Sequence, residues 1–311
     1  MRSKDRFHEI DSALKELQES ITRIEGMDTD ELARKVSMFR EEIYAGISRW
    51  SSIELARHSG RPVLDDYLSG IFRDFTELRG DRIGEDDAAI KGGLAFLDDV
   101  PVVVVGHKKR SSRGKDHARY RYGMASPSGH HKAMRLMKLA EKFGRPLITF
   151  VDTPGAYPAP ETEYRGQAFS IAQCISTLAS LKTPVIVCII GEAGSGGALA
   201  LGFGDRIIML ENAFYSAISP EAFSSILYGD DSNKEQAADA LKGSGRDLAS
   251  EGIVDHLIKE PVGGAQNDPA AVVEATGQVL RRCVSELLKM DREEIMRQRA
   301  AVIERLLPSK G

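Results

Sequence analysis

The segment GEAGSGGAL at 191–199 follows the apolar run PVIVCII and contains four glycines and two alanines among its nine residues. A phosphate-binding P-loop requires GxxxxGK[ST], but Gly197 and Ala198 stand where Lys and Ser or Thr are needed. A dinucleotide fingerprint beginning at Gly194 meets Leu199 in place of its last glycine. The spacing therefore favours neither kind of nucleotide site.

Two interpretations of the segment remain open at this point. In the first, Gly196 and Gly197 begin a short helix after a strand, and their bare N–H groups stabilise an oxygen that becomes negative in a transition state. One well-aimed donor of this kind contributes about 3 kcal/mol. In the second, the glycines only allow close packing of a helix against a strand. The first makes Gly196 and Gly197 the candidate catalytic residues, with Gly194 and Ser195 lining the site.

A second corner follows an earlier strand, in VDTPGAYPAPETEYRGQ at 151–167. Pro154 and Gly155 predict a tight turn, and further prolines stiffen the loop behind it. Because two corners at the ends of successive strands can face one cleft, the pairing favours the oxyanion interpretation. It adds Gly155, Ala156 and Tyr157 as candidate substrate-binding residues.

No nucleophile motif accompanies the two corners. Ser195 does not stand in a GxSxG elbow, so we expect it to cap a helix. We expect structural or surface roles for the histidines His107, His117, His130, His131 and His256. The pattern therefore predicts chemistry by positioning and charge stabilisation, with the reactive groups supplied by substrates.

A basic stretch, KKRSSRGKDHARYRYG, begins at Lys108. Its first residues, Lys108, Lys109 and Arg110, are candidate anion-binding residues for cofactor phosphates or an acidic partner. A solvated flexible loop is the alternative.

The strands and helices that must position the two corners are typical of an α/β protein. Apolar β-branched runs alternate with amphipathic helices through the middle of the chain, which predicts buried strands joined by helical crossovers. Apolar residues at spacings of three and four predict an N-terminal helical hairpin over 1–50. We place the central domain at 51–265 and a C-terminal helical segment at 266–311.

Composition excludes several classes of protein. A formal net charge of −4 argues against general affinity for nucleic acid or membranes. The three cysteines, Cys174, Cys188 and Cys283, form no CxxC pair, so we expect no metal site and a reduced compartment. No apolar run is long enough to span a membrane, and we expect a cytoplasmic protein.

Taken together, several motifs resemble the alpha subunits of bacterial acetyl-coenzyme A carboxylase carboxyltransferases. They are GDR at Gly80, AIKGGLA at Ala89, GHKK at Gly106, FGRPLITFVDTPGAYP ending at Pro158, YRGQ at Tyr164, GEAGSGGALALGFGD at Gly191, YSAISPEA at Tyr215 and PVGGAQNDP at Pro261. The resemblance covers nearly the whole chain and implies a crotonase-type fold, a spiral of ββα units.

The resemblance also implies a reaction and a set of partners. Members of that family transfer the carboxyl group of carboxybiotin, held on a carrier protein, to acetyl-CoA and form malonyl-CoA for fatty acid synthesis. The glycines matching Gly196 and Gly197 donate N–H groups to the biotin ureido oxygen. The implied partners are a zinc-ribbon beta subunit, a biotin carboxyl carrier protein and biotin carboxylase, with an α2β2 carboxyltransferase and no metal in this chain.

Some residues depart from the family pattern. Ala193 replaces a glycine, Ala222 replaces the glycine of SPEG, Ala125 replaces a proline, and APETEY replaces a glycine-bearing loop. We expect each to add bulk or alter stiffness near the cleft. The alternative function is therefore a paralogue acting on another acyl thioester, by carboxylation, decarboxylation or acyl transfer, or a non-catalytic assembly or anion-binding subunit.

Overall fold

The computed structural model describes residues 4–23, 29–110 and 116–306. The strands are β1 Arg73–Glu77, β2 Ile90–Leu97, β3 Val100–His107, β4 Leu147–Thr153, β5 Val185–Gly194, β6 Arg206–Leu210, β7 Phe214–Ser216 and β8 His256–Ile258. The helices are α1 Lys4–Thr22, α2 Thr29–Ala45, α3 Arg49–Ala56, α4 Leu64–Ile71, α5 Pro127–Phe143, α6 Pro160–Tyr164, α7 Gln167–Ser180, α8 Ser195–Leu199, α9 Pro220–Tyr228, α10 Lys234–Leu241, α11 Gly245–Ser250, α12 Pro269–Leu287 and α13 Arg292–Leu306.

One eight-stranded sheet organises the described residues. Its order is β1-β2-β3-β4-β5-β6-β8, and β7 pairs with the far end of β5. The strands β1, β2 and β3 are antiparallel neighbours, whereas β3, β4, β5, β6 and β8 run parallel. The carboxyl ends of β3, β4 and β5 therefore meet at one edge of the sheet, where ligands of open α/β sheets commonly bind.

Burial on both faces explains the apolar runs of the central strands. Every residue of β4 is buried, and β5 is buried from Val185 to Ala193. Helices α5 and α7 pack against each other, and α5 also packs on β2 and β3. The α/β prediction is confirmed for the described residues. The sequence patterns do not predict β1 or helix α4, which join the same sheet and core.

The N-terminal hairpin has its own small core. Helices α1 and α2 pack against each other through a cluster of Leu14, Ile21 and Val36, separate from the main core. The C-terminal segment has no such separation from the main core, because Leu280, Val284 and Leu287 of α12 belong to it. The division at residues 50 and 265 stays a prediction, and the main core continues past the second of these boundaries.

Candidate active site

Strand β5 continues four residues past the end of its apolar run at Ile190 and leads directly into α8. It ends at Gly194, which is the N-cap of α8 and makes no side-chain capping bond. Ser195 is exposed and takes a left-handed φ of 52°. The expectation that Ser195 caps the helix is therefore wrong: its backbone makes the sharp turn from strand to helix instead.

The first N–H groups of α8 are available as donors. A helix cannot satisfy these groups internally, and no described residue accepts a hydrogen bond from the N–H of Gly196 or Gly197. Gly196 is half-buried and Gly197 is buried. Because α8 has only five residues, the individual N–H dipoles, rather than a long helix dipole, must supply the positive potential.

The missing side chain of Gly197 is explained by packing against the second corner. A Cβ at Gly197 would lie 2.4 Å from the carbonyl carbon of Gly155 and 2.5 Å from the nitrogen of Ala156. A Cβ at Gly194 would lie 2.0 Å from the carbonyl oxygen of Pro154. The structure thus brings together the two corners that the sequence predicted. Gly196 differs, because its Cβ would meet only the Ile171 side chain, at 3.4 Å.

The second corner is held by its own hydrogen bonds. The Thr153 hydroxyl donates to the Gly155 carbonyl at 2.7 Å and accepts from the Gly155 N–H at 3.2 Å. The Tyr157 N–H donates to the Ala125 carbonyl at 3.0 Å. Among the described residues no acceptor is found for the Ala156 N–H. Ala156 is therefore the corner's remaining backbone donor, next to Gly197.

Arg121, which sequence reasoning missed, lies beside Tyr157 of the second corner. Its guanidinium lies 4.8 Å from the centroid of the Tyr157 ring and forms an ion pair with the buried Asp87. Arg121 and Tyr122 both have left-handed φ, of 46° and 55°. Such strain in non-glycine residues is concentrated at functional sites. The RYRYG motif offered no signal for it beyond its basic and aromatic residues.

The three cationic side chains proposed for anion binding form ion pairs or hydrogen bonds with other residues of the chain. Lys108 Nζ lies 2.9 Å from Asp65 Oδ2, and Lys109 Nζ lies 2.9 Å from Asp152 Oδ1. Arg110 is buried and donates to the carbonyl groups of Ser59 and Arg61 at 2.6 and 2.8 Å. An external anion would have to displace these contacts. Residues 111–115 of the basic stretch lie outside the described residues.

Two histidines are buried close to the cleft. Burial lowers the pKa of His107 to about 3 and that of His130 to about 4, so both rings are neutral near pH 7. His130 Nδ1 lies 2.9 Å from the Ser170 hydroxyl. The carbonyl groups of Gly197 and Phe150 lie near the His107 ring, outside hydrogen-bond geometry. The structural role expected for these two histidines stays a prediction.

The methyl group of Ala193 lies in the main core. Ala193 is fully buried and pairs with Thr153 on β4 and Tyr215 on β7. The expectation that this alanine adds bulk to the cleft is therefore wrong, because the strand continues through it and directs its side chain inward. Ala125 is also fully buried, while Ala222 is exposed on α9.

The described residues contain neither a cluster of metal ligands nor a membrane-spanning helix. Within them, no three His, Cys, Asp or Glu side chains cluster as metal ligands would. In the same residues no helix combines the length and apolar character needed to cross a membrane.

Comparison with known proteins gives close relatives. The family model for acetyl co-enzyme A carboxylase carboxyltransferase-like proteins matches residues 3–306. The acetyl-coenzyme A carboxylase carboxyl transferase subunit alpha of Geobacter metallireducens is 47% identical over 268 residues, 86% of this chain and 84% of that protein. The protein of the same name from Chlorobium phaeovibrioides is 48% identical over 274 residues, 86% of this chain and 82% of that protein.

Solved structures share the fold at lower identity. A Pseudomonas malonate decarboxylase hetero-dimer matches with a TM-score of 0.58 and 19% identity, covering 83% of this chain and 97% of that chain. Transcarboxylase 12S matches with a TM-score of 0.56 and 18% identity, covering 70% of this chain and 42% of that chain. The α/β crotonase-like fold expected from the motifs is thereby confirmed. The chain belongs to the acetyl co-enzyme A carboxylase carboxyltransferase-like family.

Proposed function

We propose that this chain is the alpha subunit of a biotin-dependent acetyl-CoA carboxyltransferase and forms malonyl-CoA from acetyl-CoA and carboxybiotin. The relatives that match most of its length carry the name of that subunit. The observation that carries the proposal is the pair of unpartnered N–H groups at Gly196 and Gly197, held against the Gly155 corner at the carboxyl edge of the sheet.

The donors at this site suit a reaction in which an oxygen becomes negative. Carboxybiotin, when bound, would supply the carboxyl group and, with its N–C bond broken, a nitrogen able to take the proton that the acetyl methyl group loses in forming the new C–C bond. The N–H groups of Gly196 and Gly197 would donate to the oxygen that gains charge, and rigid donors act without reorganisation. Ser195 and Tyr157 would line the mouth, with the Ala156 N–H as a further donor.

The partners follow from the same proposal. An alpha subunit requires a beta subunit, which we propose is of the zinc-ribbon type and provides most of the acyl-CoA contacts. A biotin carboxyl carrier protein and biotin carboxylase would deliver the carboxyl group to an α2β2 carboxyltransferase in the cytoplasm. The hetero-dimeric malonate decarboxylase with the same fold supports pairing with a second subunit.

Reconstitution with the beta subunit tests the function. The chain alone should form no malonyl-CoA, and the mixed complex should form it in a carboxybiotin-dependent reaction. Gly197→Ala should lower kcat by about 100-fold or more, because a displaced donor no longer points at the developing charge. The Cβ would push the Gly155–Ala156 backbone away.

Gly204 provides the matched control, because it lies beside the amino end of β5, at the other end of the strand from the donors. A Cβ at Gly204 would lie 2.8 Å from the Val185 carbonyl oxygen, so Gly204→Ala also forces a backbone shift. Gly204→Ala should lower the thermal unfolding midpoint but leave kcat of the folded complex within about twofold, since it is remote from the donors. Equal kcat in wild type and Gly197→Ala would contradict the oxyanion assignment.

A further inference from the structure

The backbone ladder between β4 and β5 is interrupted just before both corners. Val151 pairs with Ile189, but Thr153 pairs with Ala193, so β5 carries extra residues between these pairs. At this irregularity the Asp152 carboxylate replaces the missing ladder bond by accepting from the Glu192 N–H at 3.1 Å. A Cβ at Gly191 would lie 2.5 Å from Asp152 Oδ1, so the carboxylate fills the space that this glycine leaves.

Lys109 reaches this irregularity from the third strand. It lies two residues after the end of β3, and its Nζ is 2.9 Å from Asp152 Oδ1 and 3.8 Å from Glu192 Oε2. The side chains of Lys109, Asp152 and Glu192 are only 13, 8 and 10% exposed. One ammonium group thus connects the carboxyl ends of three parallel strands.

The Glu192 carboxylate is also held from its other side. Arg57, just after α3, donates to Glu192 Oε1 at 2.9 and 2.7 Å, and it forms a second ion pair with Glu221 at the start of α9. Burial opposes the charge of Arg57, but the two carboxylates outweigh it and raise its pKa. Glu192 is therefore fixed between two cations, directly before Ala193 and Gly194.

The residues that follow these ion pairs are the two corners themselves. Asp152 precedes Thr153, Pro154 and Gly155, while Glu192 precedes Gly194 and the donors of α8. Without Lys109, the carboxylates of Asp152 and Glu192 would face each other in a buried space with one cation fewer. Like charges at close range repel, and the two strand ends would separate.

We infer that Lys109 is a positioning residue for carboxyl transfer: its ammonium group holds the ends of β4 and β5 together and so keeps the N–H groups of Gly196 and Gly197 in place beside Ala156. The inference rests on the proposed function for its kinetic consequence. Its structural part, a clamp on both corners, stands without it.

Lys109→Met tests the clamp, because methionine keeps the aliphatic length and removes the charge. Lys91→Met is the matched control, since Lys91 forms a similar half-buried pair, 2.8 Å from Asp65, and Asp65 pairs with Lys108 rather than with a residue of either corner. In Lys109→Met, amide hydrogen exchange measured by mass spectrometry should become at least tenfold faster in peptides covering 152–157 and 191–200. An increase of about this size is expected when one charge-assisted contact is lost. The control should not change these peptides. Unchanged exchange in Lys109→Met overturns the inference.

Kinetics of the reconstituted complex test the functional part. Lys109→Met should lower kcat about 10-fold to 100-fold, with KM for acetyl-CoA changed less than about twofold, because misaligned donors affect the transition state more than ground-state binding. A normal kcat beside faster exchange would overturn the positioning role. Absence of transfer by the wild-type complex would instead reject the proposed function, while the exchange measurement still decides the clamp.

Discussion

Gly197 shows how one residue can satisfy two demands. Its missing Cβ lets the backbone of Gly155 and Ala156 approach to within van der Waals contact, and its N–H is left without an acceptor among the described residues. The packing and oxyanion interpretations of the glycine segment are therefore compatible. Close packing of the two corners is what would hold the donor rigid, and rigidity is what makes such a donor effective.

His107 and His130 predict a pH dependence of stability. An unfolded histidine has an ordinary pKa near 6.5, whereas burial lowers the folded values to about 3 and about 4. As the pH falls below 6.5, the unfolded state binds protons that the folded state cannot, so the free energy of unfolding decreases. The loss should be about 1.4 kcal/mol per pH unit for each ring, continuing until the folded pKa is reached.

Denaturant unfolding at pH 6 and pH 5 measures this slope before most carboxylates titrate. His130→Asn should reduce the slope by about 1 kcal/mol per pH unit, because one of the two rings no longer contributes. An identical slope in the variant and the wild type would show that His130 is protonated in the folded protein.

Helix α13 is anchored to the sheet by a buried ion pair. The Arg299 guanidinium donates to Asp205 Oδ1 and Oδ2 at 2.8 and 2.6 Å and to the carbonyl groups of Leu178, Leu181 and Thr183. Arg299 and Asp205 side chains are each 1% exposed. Asp205 also accepts from the Val185 N–H, at the start of β5. One side chain thus fixes the last helix against α7 and the central strand.

Removing one partner of this ion pair should strongly lower the free energy of unfolding. Arg299→Met should lower the free energy of unfolding by about 3–5 kcal/mol, because Asp205 would remain charged and buried without its cation. Guanidinium chloride titration measures the loss. The double variant Arg299→Met, Asp205→Asn should recover part of it, since no buried charge is left and Asn can still accept from Val185. Equal stability of the two variants would contradict this account.

At the scale of the whole molecule, the two helical ends should respond differently to deletion. The N-terminal hairpin has a separate core, whereas α12 supplies Leu280, Val284 and Leu287 to the main core. A chain beginning at Ser48 should keep a cooperative thermal transition by circular dichroism. A chain ending at Asp268 should lose it, because each buried apolar side chain contributes about 1.5–3 kcal/mol and total stability is only about 5–15 kcal/mol.

The outcome also tests the predicted domain boundaries. A folded chain beginning at Ser48 would support a boundary near residue 50. If the chain ending at Asp268 also melted cooperatively, α12 would be an appendage and the boundary near residue 265 would hold.

Local sequence patterns determined the elements and the family of this protein. Apolar β-branched runs in the middle of the chain predicted buried strands, and β3, β4 and β5 are such strands. These signals are local, because strand and helix periodicity depends on neighbours along the chain. The two corners were predicted for the same reason, from turn residues next to strand ends.

Only the tertiary structure decided how the corners meet. Ala193 could be placed in the core only once β5 was seen to continue past Gly191. The sequence makes Lys109 a candidate for anion binding, but in the structure it pairs across the sheet with Asp152 and Glu192, each about forty or more positions away. Strand register and burial set these contacts. They depend on pairing between distant segments, which no local pattern of residue types encodes.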